Sequence, residues 1–448
     1  MRWLLNFIGL LAVGAGVFAL LHFGFLGGPQ VQLQREFDRA MIDPKTSASL
    51  GGNLAWRLLF DRPGQVCAVT VELHQAERRA TLFELPRSGL KDGTSLSLTD
   101  YTPVLPKLGF QEGSAVLKVI EEDCSMFRRR GQRSQSVVLD FTAPQITLTS
   151  NQHYVNQGGA DVATYTTSSD AVWSGVRVGP YRFRGFPQPG GTGHFSFFVF
   201  SYELPPETPI TLVAIDGAGN ETTASLVPAR FFPKEFRHRE IPIDDRFIST
   251  KVMDIISQTS ELRDQGDPLK NFLQVNRDLR IKNNDFLKQL AAKSAEQFYW
   301  HDAFQPLGNA AIEASFADYR SYLYQGAKVD EQVHLGFDMA VTERYPIQAS
   351  GRGRVVFAGY LGIYGNTIVI DHGYGLMTLY GHLSGIDVHE GDMVERAQKI
   401  GNSGATGLAA GDHLHFSMLI DGVQTNPIEF WDQHWIDDHV TLRLGKSL

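Results

Sequence analysis

Cysteine is scarce: 448 residues hold only two, Cys67 and Cys124. That excludes a four-cysteine structural zinc site and a disulfide-dense scaffold, which both need more sulfur. Positive charge is not in excess either. Lys and Arg number 41 against 49 Asp and Glu, a formal net charge of -8, so nucleic acid is not an expected partner. The motif His-Glu-x-x-His is absent, which removes support for a helical zinc-protease site. Long helical patterns are few. Instead, 44 glycines and 20 prolines punctuate the chain, and a mainly β, multidomain protein is expected.

Charge is missing altogether from Trp3 to Leu26. A helix that crosses a bilayer needs ~20 apolar residues, and this run is long enough. Arg2 precedes it and would stay in the cytoplasm, and no small-residue cleavage site follows. Residues 1–28 are therefore expected to form a single-pass anchor in the inner membrane, with the bulk of the chain in the periplasm. An oxidising compartment would permit one disulfide between Cys67 and Cys124, although two unpaired buried thiols remain the alternative.

Short β-rich runs separated by turn-forming stretches predict a β-sandwich-like domain over 29–141. A second β unit is expected over 142–232. Its closing segment, Ile210-Thr211-Leu212-Val213-Ala214-Ile215-Asp216-Gly217-Ala218-Gly219-Asn220, resembles the last hairpin of bacterial immunoglobulin-like domains. Between Asp244 and Trp300 the apolar period lengthens to about 3.6. Ile248, Val252, Ile255 and Ile256 form one stripe with Asp244 or Asp245 as its cap, and Phe272, Val275, Leu279, Phe286 and Leu290 form another. A helical linker over 233–301 is expected, packed on a neighbouring domain or acting as a movable arm.

The chemistry lies in 302–448. In Val333-His334-Leu335-Gly336-Phe337-Asp338-Met339, alternation puts His334 and Asp338 on one face. Four residues of straight strand span ~13 Å, too far for two ligands of one metal, so the chain must kink, and Gly336 could permit it. In Gly411-Asp412-His413-Leu414-His415-Phe416, the two histidines share the face opposite Leu414 and Phe416. Between these segments stands Tyr380-Gly381-His382-Leu383. Two His and one Asp would bind zinc and leave a fourth position for water, the pattern of catalytic zinc.

Together with Gly365-Asn366-Thr367-Ile368-Val369-Ile370-Asp371-His372-Gly373 and Ile400-Gly401-Asn402-Ser403-Gly404-Ala405-Thr406-Gly407, these segments resemble the lysostaphin/LytM family of zinc endopeptidases over Val333 to Trp431. The resemblance implies a compact antiparallel-β peptidase domain with a narrow groove. It implies that His334, Asp338 and His415 bind Zn2+, and that His382 and His413 assist catalysis in roles the sequence does not divide. The implied reaction is hydrolysis of peptide cross-links in bacterial peptidoglycan, with D-Ala–meso-diaminopimelate the expected bond. Residues 316–332 depart from the common family wording, so the groove wall there is open. Tyr322, Tyr324 and Asn366 are candidates to line it, whereas His372, placed in a turn, and His389 are expected to stand apart. Two rival readings are a non-catalytic activator of cell-wall amidases and a protein-directed metallopeptidase. The long non-catalytic region leaves room for a regulatory protein partner.

Overall fold

The computed structural model describes residues 66–85, 105–124, 128 and 130–445, with four short strands among residues 31–97 traced in backbone. The proposed membrane anchor lies outside the described residues. Among these residues no helix is long and apolar enough to cross a membrane. The chain is mainly β and divides into two compact units.

The first unit contains Met1–Gln145 together with Ser168–Trp173 and Ala214–Thr222. Strands β1 (Val66–Gln75), β2 (Arg78–Leu85), β3 (Gly113–Asp123) and β4 (Arg130–Leu139) pair antiparallel in the order β4-β3-β1-β2. Alternation in β3 buries Ala115, Leu117 and Val119 on one face against Val69, Val71 and Leu73 of β1. Cys67 and Cys124 are joined by a disulfide.

The second unit holds everything else. The strands that follow are β5 (Ile146–Leu148), β6 (Ala160–Thr167), β7 (Ala171–Val178), β8 (Tyr181–Arg184), β9 (Phe186–Pro187), β10 (His194–Val199), β11 (Ile210–Asp216) and β12 (Glu221–Leu226), of which β7, β11 and β12 belong in part to each unit. They form two four-stranded sheets, β9-β10-β6-β5 and β8-β7-β11-β12. Strands β6 and β10 are buried on both faces, not one. Their second face is covered by the C-terminal region. Phe195 stacks on Phe298 and meets Tyr374 edge-on, and the peptide N–H of Ala160 donates to Glu429.

Burial pushes Glu429 up to about 7, although Ala160 N–H and Asn156 Nδ2 both favour its charged form. A carboxyl with a raised folded pKa holds a proton that the unfolded chain releases. Its contribution to stability is complete below about pH 4.5 and is lost as pH rises to about 7. Wild type should therefore lose about 2 kcal/mol relative to Glu429→Gln between pH 5 and pH 7.5. Urea denaturation of both proteins at the two pH values checks this, and parallel behaviour would remove Glu429 as the titrating group.

The stretch expected to be a helical linker departs from that expectation at its start. It opens with β13 (His238–Ile243), which pairs in parallel with β15 (Asp318–Tyr324). Two helical runs follow: α1 (Asp245–Phe247, Ile248–Val252, Met253–Gln258) and α2 (Pro268–Leu273, Gln274–Leu279, Arg280–Ala291). Asp244 caps α1 by accepting from Phe247 N–H at 2.7 Å. The apolar stripe of α1 is buried as its spacing predicts, but that of α2 shifts. Residues Gln274–Leu279 form a wide π turn, and the extra residue per turn brings Leu287 and Ala291 into the core where Phe286 and Leu290 are only partly covered. Both helices share one apolar cluster with Leu361, Ile363, Val369 and Leu379. They are walls of the C-terminal module, packed on it.

That module is built on an antiparallel sheet in the order β14 (Ala311–Ala314), β17 (Phe337–Ala340), β22 (Leu414–Ile420), β20 (Leu376–Leu383), β19 (Asn366–Gly373), β18 (Gly353–Tyr360), β21 (Met393–Val394), with β23 (Val423–Thr425) beside β22. Strand β16 (Ala327–His334) pairs with β15 in a smaller sheet next to it.

Candidate metal centre and groove

Strand β16 ends at His334 and β17 begins at Phe337, so the chain breaks at Leu335-Gly336. A Cβ on Gly336 would lie 2.6 Å from Phe416 O and 2.8 Å from His415 Cε1, so only glycine lets the chain pass this close to β22. The break swings His334 back over the sheet. Its Nε2 comes to 2.8 Å from Asp338 Oδ1. Asp338 pairs directly with His415 across β17 and β22, which puts both side chains on one face. His415 Nδ1 lies 2.9 Å from the same Oδ1 and 3.0 Å from His334 Nε2. Ligand atoms of His334, Asp338 and His415 converge, and all three side chains are buried.

The outer nitrogens determine what these atoms offer. His334 Nδ1 faces the carbonyl of Ser315 at 3.0 Å, which can only accept, so that nitrogen carries the proton. Ser417 Oγ donates to Leu335 O and is left to accept from His415 Nε2 at 2.9 Å. Both inward nitrogens therefore present lone pairs to a carboxylate oxygen. Three electron-rich atoms about 3 Å apart repel unless a cation lies among them, and two imidazoles with one carboxylate are ligands suited to zinc.

His382 reaches this site through an irregularity. Register between β19 and β20 slips between Asn366 and Ile368, leaving one extra residue on β20. In β20 and β22, Tyr380 pairs with Phe416 and Gly381 with His415, so regular alternation would turn His382 away from His415. The bulge, with His382 at φ +63°, reverses that. The rings of His382 and His415 lie 5.7 Å apart, and those of His382 and His413 4.8 Å. His382 Nδ1 donates to Thr406 O and His413 Nδ1 to Gly411 O, so each turns its Nε2 inward, that of His413 to 3.5 Å from Asp338 Oδ1.

Burial, together with the neighbouring His413 and His415 rings, holds His382 well below the ordinary histidine value, and burial pulls His415 down to about 4. Burial acts downward on His413 too, but the facing Asp338 raises it overall. Burial would raise Asp338, yet the imidazoles around it hold its carboxyl well below the usual range.

All five residues line one cavity of about 430 Å³, a size suited to a short peptide. Tyr322 lines it as well. Tyr324 instead donates to Asp245 at 2.5 Å, and Asn366 Nδ2 is spent on Leu383 O. His372 lies within β19, not in a turn. It is fully buried between Arg352 O and Thr378 Oγ1, while His389 is exposed beside Asp392. Sequence reasoning missed Arg320, whose NH2 group holds the outer oxygen of Asp338 at 2.8 Å. It also missed Arg280 of α2, which lines the cavity. No local pattern marks either one, because pairing of β15 with β16 and packing of α2 bring them here.

A second constellation resembles a nucleophilic triad. Ser150 Oγ lies 2.9 Å from His153 Nε2, and His153 Nδ1 lies 2.6 Å from Asp161 Oδ2. All three are buried, and Ser150 Oγ already accepts from Thr164 N–H, so no substrate could reach the hydroxyl.

Comparison with known proteins converges on the same segment. The family model for peptidase family M23 matches residues 332–427. DD-carboxypeptidase/endopeptidase Mpg of Neisseria meningitidis is 40% identical over 97 residues, 22% of this chain and 22% of that protein. Peptidoglycan DD-endopeptidase ShyA of Vibrio cholerae is 42% identical over 96 residues, 21% of this chain and 22% of that protein. Among solved structures, the catalytic domain of the antimicrobial peptidase lysostaphin from Staphylococcus simulans is 27% identical, with 32% of this chain and 96% of that chain covered and a TM-score of 0.21. The chain spans about a fifth of the length of the curated relatives it matches. The C-terminal module of this chain carries a peptidase family M23 domain.

Proposed function

We propose that the protein is a zinc-dependent endopeptidase of bacterial peptidoglycan that cleaves the D-Ala–meso-diaminopimelate cross-link. The observation that carries this reading is the convergence of His334 Nε2, His415 Nδ1 and Asp338 Oδ1, with both outer imidazole nitrogens already committed. Relatives named as peptidoglycan DD-endopeptidases support the substrate class. Zinc held by these three residues would polarise a scissile carbonyl and acidify water. Arg320 engages Asp338 Oδ2 and so leaves Oδ1 to the centre. His382 and His413 line the cavity with Nδ1 committed to backbone carbonyls, so their Nε2 atoms would act, one to take a proton from water and the other to return it to the leaving amine. Ile243 of β13 and Phe247 of α1 add apolar surface to the cavity wall. The uncharged run at Trp3–Leu26 and the Cys67–Cys124 disulfide support a place on the periplasmic side of the inner membrane, anchored by residues 1–28.

Full-length chain in detergent, incubated with purified sacculi, should convert cross-linked dimers to monomers. A chelator should abolish the conversion, and added Zn2+ should restore it. Persistence of dimers with the zinc-loaded protein would favour an amidase activator or a protein-directed peptidase.

A further inference from the structure

The groove carries three arginines, and two of them are engaged. Arg320 holds Asp338, and Arg239, on the exposed strand β13, gives NH1 to the carbonyl of Glu313. Arg280 differs. Its Nε donates to Asn276 O at 3.1 Å and its NH2 group to Asn276 Oδ1 at 2.8 Å. Asn276 is fully buried, and its own Nδ2 donates to Asp330 Oδ2 at 2.7 Å. Asp330 is in turn gripped by Arg277 Nε at 2.7 Å. This chain of contacts fixes the Arg280 fork before any ligand arrives.

Among the described residues no carboxylate pairs with Arg280, and its NH1 group has no partner. Ile243, Phe247 and Ile363 line the same cavity, and the half-buried charge has hydrogen bonds to Asn276 but no counter-charge. A half-buried guanidinium, held in place with free donors in a substrate groove, fits a carboxylate better than any neutral group. It comes from α2, outside the residues that match the family model.

We propose that Arg280 is a specificity residue that binds a free carboxylate of the substrate peptide. On the reading of the preceding subsection, that group is the carboxylate of diaminopimelate on the carbon bearing the scissile amide nitrogen. D-Ala offers no charge within the cross-link, whereas this carboxylate stands on the carbon next to the reacting nitrogen. The site thereby selects cross-links whose diaminopimelate is not amidated.

The test measures binding, so it does not depend on turnover. Full-length protein carrying His413→Ala, zinc-loaded and in detergent, is titrated with a cross-linked tetrapeptide dimer in two forms, free carboxylate and carboxamide. The free acid should bind about 10-fold or more tightly than the amide. Adding Arg280→Gln should weaken the acid about 10- to 100-fold and leave the amide unchanged, and Arg280→Lys should recover part of the loss. Thermal unfolding of each variant separates loss of contact from loss of fold. Equal weakening of both forms, absence of preference in the parent, or no binding of the acid would each overturn the proposal. Preference in this titration beside wild-type protein inert on sacculi would instead overturn the catalytic reading alone.

Discussion

Replacing His415 with alanine is expected to abolish zinc binding and hydrolysis together, while replacing His413 abolishes hydrolysis and spares the metal. His415 offers Nδ1 to the centre from directly opposite Asp338, with Ser417 fixing its tautomer. Without it two ligands remain, and a catalytic zinc site with two protein ligands holds its metal poorly. His413 Nε2 lies 3.5 Å from Asp338 Oδ1, and His413 is not one of the three residues whose ligand atoms converge. Its loss should cost about 10²–10⁴-fold in rate, the usual range for a general acid or base. Metal content by atomic spectroscopy and dimer cleavage in sacculi, measured on both variants, separate the roles. Equal zinc content in His415→Ala and wild type would remove His415 from the ligand set.

The second large effect concerns stability. Asp161 is fully buried, yet burial fails to keep it neutral: His153, His439 and Arg443 hold it at about 2. His153 donates to Oδ2 at 2.6 Å, His439 to Oδ1 at 2.8 Å, and Arg443 NH1 donates to Oδ1 as well. His439 and Arg443 belong to the C-terminal helical tail, so this one carboxylate ties the tail to β6. Asp161→Ala would leave Arg443 buried without a counter-charge, and breaking a buried pair this way costs about 3–5 kcal/mol. A fall in Tm on the order of 10 °C is expected, with cleavage at low temperature preserved because no groove residue is touched. A depressed carboxyl stabilises above its unfolded pKa and loses that contribution as pH falls through the folded value. The deficit of Asp161→Ala should therefore persist at pH 5 and shrink only as pH falls below 4 toward 2. An unchanged Tm would show that the tail is held by its apolar contacts alone.

The groove wall at 316–332 shows how far pattern reading reaches. Strand alternation places Arg320 beside neighbours in its own strand but carries no information about Asp338, which lies 18 residues away on a strand of another sheet. The α2 stripe holds at Phe272, Val275 and Leu279 and drifts only beyond them, because a π turn changes the period that stripe reading assumes.

What the sequence determined by itself was a mainly β chain and a C-terminal module with the motifs of its family. Both rest on local properties, namely glycine-rich turns, period-two alternation and residue type at fixed spacing. It also placed Asp338 and His415 each on the strand face opposite its apolar neighbours, and it required a kink near Gly336 because ~13 Å of straight strand cannot serve one metal. Tertiary structure alone decided the rest. Pairing of β17 with β22 set Asp338 against His415, and a single bulge turned His382 to their face. Packing of α2 on the sheet brought an arginine to the groove from outside the family segment. The reason is the range of the forces: spacing fixes which side of its own strand a residue occupies, whereas the partner across the gap is chosen by long-range pairing and burial.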